Sequence, residues 1–446
     1  MNREPSIPFI PALLYWLKLG FISFGGPAGQ ISMMHQELVE KKKWISEHRF
    51  LHGLNYCMIL PGPEAQQLAT YIGWLMHGTL GGIIAGGLFV LPSFFILCLL
   101  TYLYLAFGDV LIVKGILYGI KPAVTAIVLF AAYRIGSRAL KNKVLWLIAA
   151  LAFIAIIGLK VPFPFIILGA CIIGIIGSYL SPETFKAGGG HKKSEKEIQG
   201  PWVIDDTTPI PEHAKFRKTR FFSFILIGLS MWGIIYGILV YLYGWAGVLP
   251  QMAIFFSKAA LLTFGGAYAV LPYVYQGGVE TFQWLDAKQM IDGLALGETT
   301  PGPLIMVVSY VGFVGGWTKQ IFPEHLILSG ILASSIVTFF TFLPSFLFIL
   351  IGGPLVEASR NEIKFTAPLT AITAAVVGVI LNLACFFAYH VFFPKGFENG
   401  LASPIEWPAI VVCTISLISL VRFKIGIATV IGATALIGIA LQFLIK

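Results

Sequence analysis

The sequence predicts an all-α polytopic membrane protein made of two inverted-topology helical repeats, each carrying broken or re-entrant helices. Three observations lead there. Of 446 residues, 57% are hydrophobic and 11% charged, too little polar surface to coat a water-soluble globule of this size. The apolar residues gather in runs near or above the roughly 20 residues that a bilayer-spanning helix needs. The second half also repeats the first.

The repeat is visible by adding 240 to a position. Lys18 lands on Lys258, Phe24-Gly25-Gly26 on Phe264-Gly265-Gly266, Trp44 on Trp284, Gly53-Leu54 on Gly293-Leu294, and Pro61-Gly62-Pro63 on Pro301-Gly302-Pro303. Further on, Pro92-Ser93-Phe94 matches Pro344-Ser345-Phe346 at an offset of 252, which places a twelve-residue insertion around Trp317 to Ser329. The chain is therefore read as a duplication: an N-terminal repeat over 1–183, a linker over 184–220 and a C-terminal repeat over 221–446.

In chain order, residues 10–36 are apolar but interrupted by Phe24-Gly25-Gly26-Pro27, where a bend is expected. The loop 37–49 follows with four Lys or Arg. Segment 51–77 is broken by Pro61-Gly62-Pro63, because proline removes a backbone donor and glycine tolerates a sharp turn. Runs 78–107 and 109–135 read as full spans, then 134–143 carries four more Lys or Arg, and runs 144–159 and 162–180 close the copy. The linker holds a glycine run, several prolines and eight Lys or Arg, and reads as a solvated cytoplasmic tether. Beyond it come 221–243, which has no partner in the first copy, then 323–352, 366–392, 407–421 and 425–445. The two shortest runs, 144–159 and 407–421, are the weakest as complete spans.

Charge placement sets the orientation. The counterparts of the two basic loops, 277–289 and 386–398, have one Lys each, whereas Arg422 and Lys424 of copy two stand against Lys160 alone in copy one. By the positive-inside rule the copies cross the membrane in opposite senses, and 221–243 supplies the odd crossing. If 37–49 and 134–143 are both cytoplasmic, 51–77 must enter and leave on one side as two half-helices. Such backbone is tolerated at membrane depth only where protein or a water-filled cavity covers it.

Inverted repeats with broken helices are an architecture of secondary transporters, with the site near the midplane where both copies meet. The candidate substrate-binding residues are Lys18, Gly25, Gly26, Pro61, Gly62, Pro63, Gln66, Gln67 and, in copy two, Lys258, Gly265, Gly266, Thr299, Thr300, Pro301, Gly302 and Pro303. A half-helix beginning after Pro63 or Pro303 presents unpaired N–H groups and a positive dipole end, a ready anion site. Lys18 and Lys258 are cations inside apolar runs, costly unless kept for a substrate or ion path, although a snorkelling lysine is the plainer alternative. Two lysines and two helix ends suit a compact dianion. Gln66, Gln67, Thr299 and Thr300 offer uncharged donors. Glu64 and Glu298 are proton-coupling candidates, or else helix caps.

Several classes fall away. The net charge of +9 sits in short segments between apolar runs, the pattern of cytoplasmic loops and not of a nucleic-acid face. The cysteines at 57, 98, 171, 385 and 413 form no CxxC pair and read as packing residues, without metal site or disulfide framework. No HExxH, GxSxG or GxxxxGK[ST] occurs, so an enzyme is not expected and no cofactor is called for. His35 reads as a solvated loop histidine. The first apolar run carries Lys18 and no small-residue cleavage site follows it, so it is taken as mature structure.

The segments SFGGPAGQISMMHQELVEKKKW, LPGPEAQQLATYIGW, TFGGAYAVLPYV and ETTPGPLIMVVSYVGF resemble the signature segments of the chromate ion transporter family in its long, two-domain form. The resemblance implies efflux of chromate across a bacterial-type cytoplasmic membrane, with sulfate as a competing or related oxyanion, and two domains of opposite topology. Many members carry a histidine three places after the Phe-Gly-Gly-Pro and an arginine five places later; here those positions are Gln30 and His35, and copy two has Ala267 in place of the proline. Coupling to protons or exchange with sulfate, a homodimer, a sulfate or other oxyanion carrier, and an anion channel all remain open at this point.

Overall fold

The computed structural model describes residues 7–24, 26–185, 202–205, 208–209, 211–264, 266–358, 366–394 and 405–444. Gly25 and Gly265 of the candidate set lie outside the described residues. Within them the chain is helical, with one isolated backbone bridge and no strand.

The first half runs α1 (Phe9–Ile22), α2 (Gly26–His35) with a π-helical turn Gln36–Lys41, α3 (Glu47–Ile59), α4 (Glu64–Phe107), α5 (Leu111–Ala139), α6 (Lys143–Leu159), α7 (Phe163–Leu180) and a short turn α8 (Pro182–Phe185). Then comes α9 (Lys218–Tyr243), followed by α10 (Val248–Leu262), α11 (Ala267–Tyr275) with a π-helical turn Gln276–Thr281, α12 (Ala287–Thr299), a 3₁₀ turn Leu304–Met306, α13 (Val307–Thr318), α14 (Leu326–Ala358), α15 (Thr366–Phe392), α16 (Trp407–Val421) and α17 (Ile427–Leu444). The two π-helical turns stand at the same offset of 240, as do the left-handed residues Lys43 and Gln283, which extends the sequence repeat into backbone conformation.

Local chemistry explains the boundaries. Ser46 caps α3 by accepting from Arg49 N, and Asp286 caps α12 in a reciprocal box with Gln289. Both helices stop at their Pro-Gly-Pro, as expected. α3 and the first stretch of α4 are each about 20 Å long, enough to reach the middle of a core of about 30 Å but not to cross it. α4 departs from helical geometry at His77 and Gly78, where φ is 66° at the glycine, so the long span begins at the kink. In the second half the same place opens into the loop 319–325 between α13 and α14, which together with the first residues of α14 takes up the difference between the two offsets.

Among the described residues six helices are long and apolar enough to cross a membrane, including α9, whose Phe222, Leu226, Ile234 and Tyr241 are exposed as lipid-facing residues should be. α6 and α16 are among the shorter apolar helices. The halves interlock. α6 and α7 pack on α15, α16 and α17 pack on α5, and α4 lies along α14. One core cluster spans both halves, while another joins residues 7–89 to the end of α14 through Ile349, Leu350 and Val356.

The linker departs from the plain tether expected of it. Val203 N donates to Lys43 O (3.1 Å), Ile204 N to Trp44 O (3.0 Å) and Ser46 N to Ile204 O (2.9 Å), so the linker adds a short extended pairing to the start of α3. His213 bonds Trp74 O at 2.8 Å just before the kink. Apolar Ile204 and buried Ala214 explain why this stretch docks despite its proline-rich, charged surroundings.

Candidate functional site

The two halves meet through their bends. Gly62 has φ +127° and Gly302 φ +98°, conformations that glycine alone adopts without strain. The turned backbone of each reaches the other half: Gly62 N donates to Thr263 O at 2.7 Å, and Gly302 N donates to Ser23 O at 3.0 Å. Ser23 and Thr263 are the C-caps of α1 and α10, with closely similar angles (φ −80°, ψ 74° and φ −80°, ψ 81°). Each Pro-Gly-Pro is thus bonded to the residue just before the opposite half's Phe-Gly-Gly. Pro63 and Pro303 cap the following helical turns without a side-chain bond, leaving the first amides to an outside acceptor.

Hydroxyls and amides surround the crossing. A methyl group on Gly62 would lie 2.5 Å from Ser345 Oγ and 2.7 Å from Gln67 Nε2; on Gly302 it would lie 2.8 Å from Ser93 Cβ. Ser23, Ser93 and Ser345 are buried, and among the described residues their hydroxyls have no hydrogen-bond partner. Gln67 Nε2 donates to Pro61 O (2.8 Å) and Gln66 Nε2 to Thr70 Oγ1 (3.0 Å), while the Oε1 atoms of both stay unpartnered among the described residues. Gln30 donates to Ser23 O (3.1 Å) and Gly302 O (2.6 Å), pinning one half's bend to the other's. So many unsatisfied buried polar groups in one place are unusual in a folded interior. They come from both halves of the chain.

The register of α4 against α14 places the crossing. Gly86 abuts Phe346, Cys98 Sγ lies 3.4 Å from Ser334 Oγ, and Gly353 abuts Trp74, so the helices run antiparallel. Ser345 then stands opposite about residue 87 of α4, which puts the hydroxyls of Ser93 and Ser345 about 9 Å apart along the axis.

The remaining candidates divide. Pro61, Gly62, Pro63, Gln66, Gln67, Pro301, Gly302 and Pro303 build the crossing, and Gly26 and Gly266 follow the α1 and α10 caps with positive φ. Lys18 and Lys258 do not join it. Both side chains are exposed, and among the described residues neither makes an ion pair or hydrogen bond; Lys258 instead lines an outer cleft of about 340 Å³ with Tyr236, Trp245, Gln276 and Thr281. That is the geometry of a lysine on an outward helix face. Thr299 and Thr300 donate to Leu296 O and Gly297 O of their own helix, so their protons are already committed. Glu64 is half-buried at the first turn of α4, and half-buried Glu298 accepts from Tyr268 OH at 2.6 Å. His35 is not a free loop residue: its ring nitrogens face Glu40 and Glu47.

Sequence reasoning missed Ser23, Gln30, Ser93, Thr263 and Ser345. For four of them the signal was present in the repeat itself, since Ser23 pairs with Thr263 at offset 240 and Ser93 with Ser345 at 252, whereas Gln30 falls on Val270. Sequence reasoning also missed two inward charge pairs, buried Arg49 with buried Glu357 and half-buried Lys121 with buried Asp292.

Comparison with known proteins follows the same outline. A family model described as chromate transporter matches residues 10–175 and 250–439. The chain is 26% identical over 443 residues to a chromate transport protein of Cupriavidus metallidurans, covering 98% of this chain and 94% of that one. It is 32% identical over 382 residues to a chromate transport protein of Pseudomonas aeruginosa, covering 84% and 80%. An uncharacterized transporter of Bacillus subtilis is 33% identical over 165 residues, 36% of this chain but 80% of that protein, so a relative about as long as one copy exists by itself. No solved structure matches.

Proposed function

Because the chain belongs to the chromate transporter family, a family of transporters and not of enzymes, we propose that it exports chromate from the cytoplasm as a secondary carrier that holds the ion where the two bends cross. It is a multi-pass protein of the cell membrane. In this reading residues 1–183 and 221–446 are domains of opposite topology joined by the cytoplasmic segment 184–220. The antiparallel course of α4 and α14, equivalent helices of the two copies, supports the inversion. Both basic loops of copy one also touch the segment that joins the copies: residues 203 and 204 bond Lys43 and Trp44, and Asn142 donates to Thr184 O.

The observation that carries the proposal is the pair of crossed hydrogen bonds from Gly62 and Gly302, with three buried hydroxyls beside them still free to donate. A tetrahedral dianion offers acceptors in every direction, and fixed neutral donors compensate it without the cost of burying cations. Sulfate shares that charge and shape, so it competes for the same donors. Glu64 and Glu298, beside the two bends, are the carboxyls through which proton movement is coupled to the anion; exchange with sulfate is the other route. A carboxylate next to a dianion is disfavoured, so anion and proton arrive together.

Calorimetric titration of the purified protein with chromate and with sulfate tests the site. Ser93→Ala or Ser345→Ala removes one hydrogen bond to a charged guest, worth about 1.5–3 kcal/mol, and each is expected to weaken binding about 10- to 150-fold. Unchanged affinity in both variants would move the site elsewhere.

A further inference from the structure

Two buried charge clusters flank the crossing. At one end Arg49 of α3 lies 3.8 Å from Glu357 of α14, and Glu357 also accepts from Tyr71 OH. At the other, Lys121 of α5 lies 3.0 Å from Asp292 of α12, and Asp292 accepts from Tyr104 OH of α4 at 3.0 Å. Their side chains are 5% and 3% exposed in the first pair, 19% and 1% in the second. Glu357 stands twelve residues beyond Ser345 and Arg49 twelve before Pro61, so the first cluster is about 18 Å from the crossing. Tyr104 stands eleven residues beyond Ser93 and Asp292 nine before Pro301, which puts the second about 14–16 Å away. Since α4 and α14 are antiparallel, the two clusters lie on opposite sides of the crossing.

We propose that these clusters are the two gates of the transport path, opened in turn, and that the Arg49–Glu357 gate faces the cytoplasm. The inference rests on the carrier reading above. A buried ion pair is seldom the most stable filling for such a place, because well-packed apolar residues of similar volume do as well or better. Charged groups have one property that apolar ones lack: when an end opens, each partner is taken up by water, whereas an apolar seal resists wetting. An ion pair that is closed when paired and hydrated when parted is a two-state element. Of the helices that carry the gates, α3, α4, α12 and α14 either end in a bend or carry one of its serines, and only α5, the helix of Lys121, does neither, so parting a gate is linked to the crossing. The cytoplasmic gate has an added strap. Arg49 Nη2 donates to Thr208 O at 2.8 Å, Thr208 is held in its turn by Asp205, and Ile204 is bonded to the chain just before α3.

The test uses the full chain with Cys57, Cys98, Cys171, Cys385 and Cys413 replaced by alanine and a reporter, Ser345→Cys, or Ser93→Cys in a second series. Vesicles of either orientation are treated with a membrane-impermeant maleimide. Glu357→Gln is expected to raise labelling at least about tenfold from the cytoplasmic face and not from the other; Asp292→Asn is expected to do the reverse. The reversed pair Arg49→Glu with Glu357→Arg returns labelling to the parent rate. If Glu357→Gln fails to insert, Tyr71→Phe, which removes one bond to that carboxylate, should give a smaller rise on the same face. An equal rise on both faces, or none on either, overturns the gates. Labelling needs no substrate, so face-specific labelling would keep the gates even if the parent chain, with Ser93 and Ser345 intact, moved neither chromate nor sulfate, a result that would refute only the substrate assignment.

Discussion

Gly62→Ala is expected to cut chromate flux about 100-fold or more while the protein still inserts. At φ +127° an alanine is strained by about 1–3 kcal/mol before any contact is considered. Its methyl would also lie 2.5 Å from Ser345 Oγ and 2.7 Å from Gln67 Nε2, two of the groups that surround the crossing. Relief comes only by shifting the bend, which breaks the 2.7 Å bond from Gly62 N to Thr263 O. A combined loss of about 3 kcal/mol at the site corresponds to that change in flux. Gly302→Ala, at φ +98° against Ser93, should behave alike. Flux into everted vesicles, normalised to the amount of inserted protein, is the measurement. A Gly62→Ala protein that transports at the parental rate would show that the bend is not part of the path.

Arg49→Met is expected to destabilise the protein by about 3–5 kcal/mol, seen as a lower unfolding midpoint in detergent. The substitution leaves the Glu357 carboxylate buried, with Tyr71 its remaining hydrogen-bond donor among the described residues, and strips Thr208 O of its donor. Adding Glu357→Met removes the stranded charge and should return most of the loss, with the remainder due to the unpaired Tyr71 hydroxyl. Equal midpoints for the single variant and the parent would mean that the pair contributes nothing to holding α3 against α14.

Much of the architecture was legible because its signals are strong ones. Pro-Gly-Pro forbids a continuous helix wherever it lies, and an offset that recurs without gaps over Lys18 to Pro63 and their counterparts Lys258 to Pro303 admits one explanation. The kink at Gly78 and the loop 319–325 fell where the change from 240 to 252 put them. The site was legible only in part. Serines in a membrane helix break no hydropathy pattern, so Ser93 and Ser345 were noticed as markers of the repeat and not as donors. Lys18 and Lys258 drew attention because they interrupt apolar runs, yet periodicity alone does not say which face of α1 or α10 turns inward. Arg49 closes a run of positive charge that reads from sequence only as a sign of orientation, and its packing against Glu357 is what sets it apart from the other members. The linker's docking depends on Ile204 meeting Ile45, a pairing between distant residues that no local composition announces.

Counterflow in proteoliposomes tests most directly whether the crossed bends form an oxyanion carrier site. Vesicles loaded with unlabelled chromate or sulfate should take up labelled chromate faster than empty ones, with saturation at high concentration, competition by sulfate, and loss of the effect in the Ser93→Ala, Ser345→Ala double variant. Uptake that neither saturates nor responds to internal anion, or that persists unchanged in the double variant, would contradict the account.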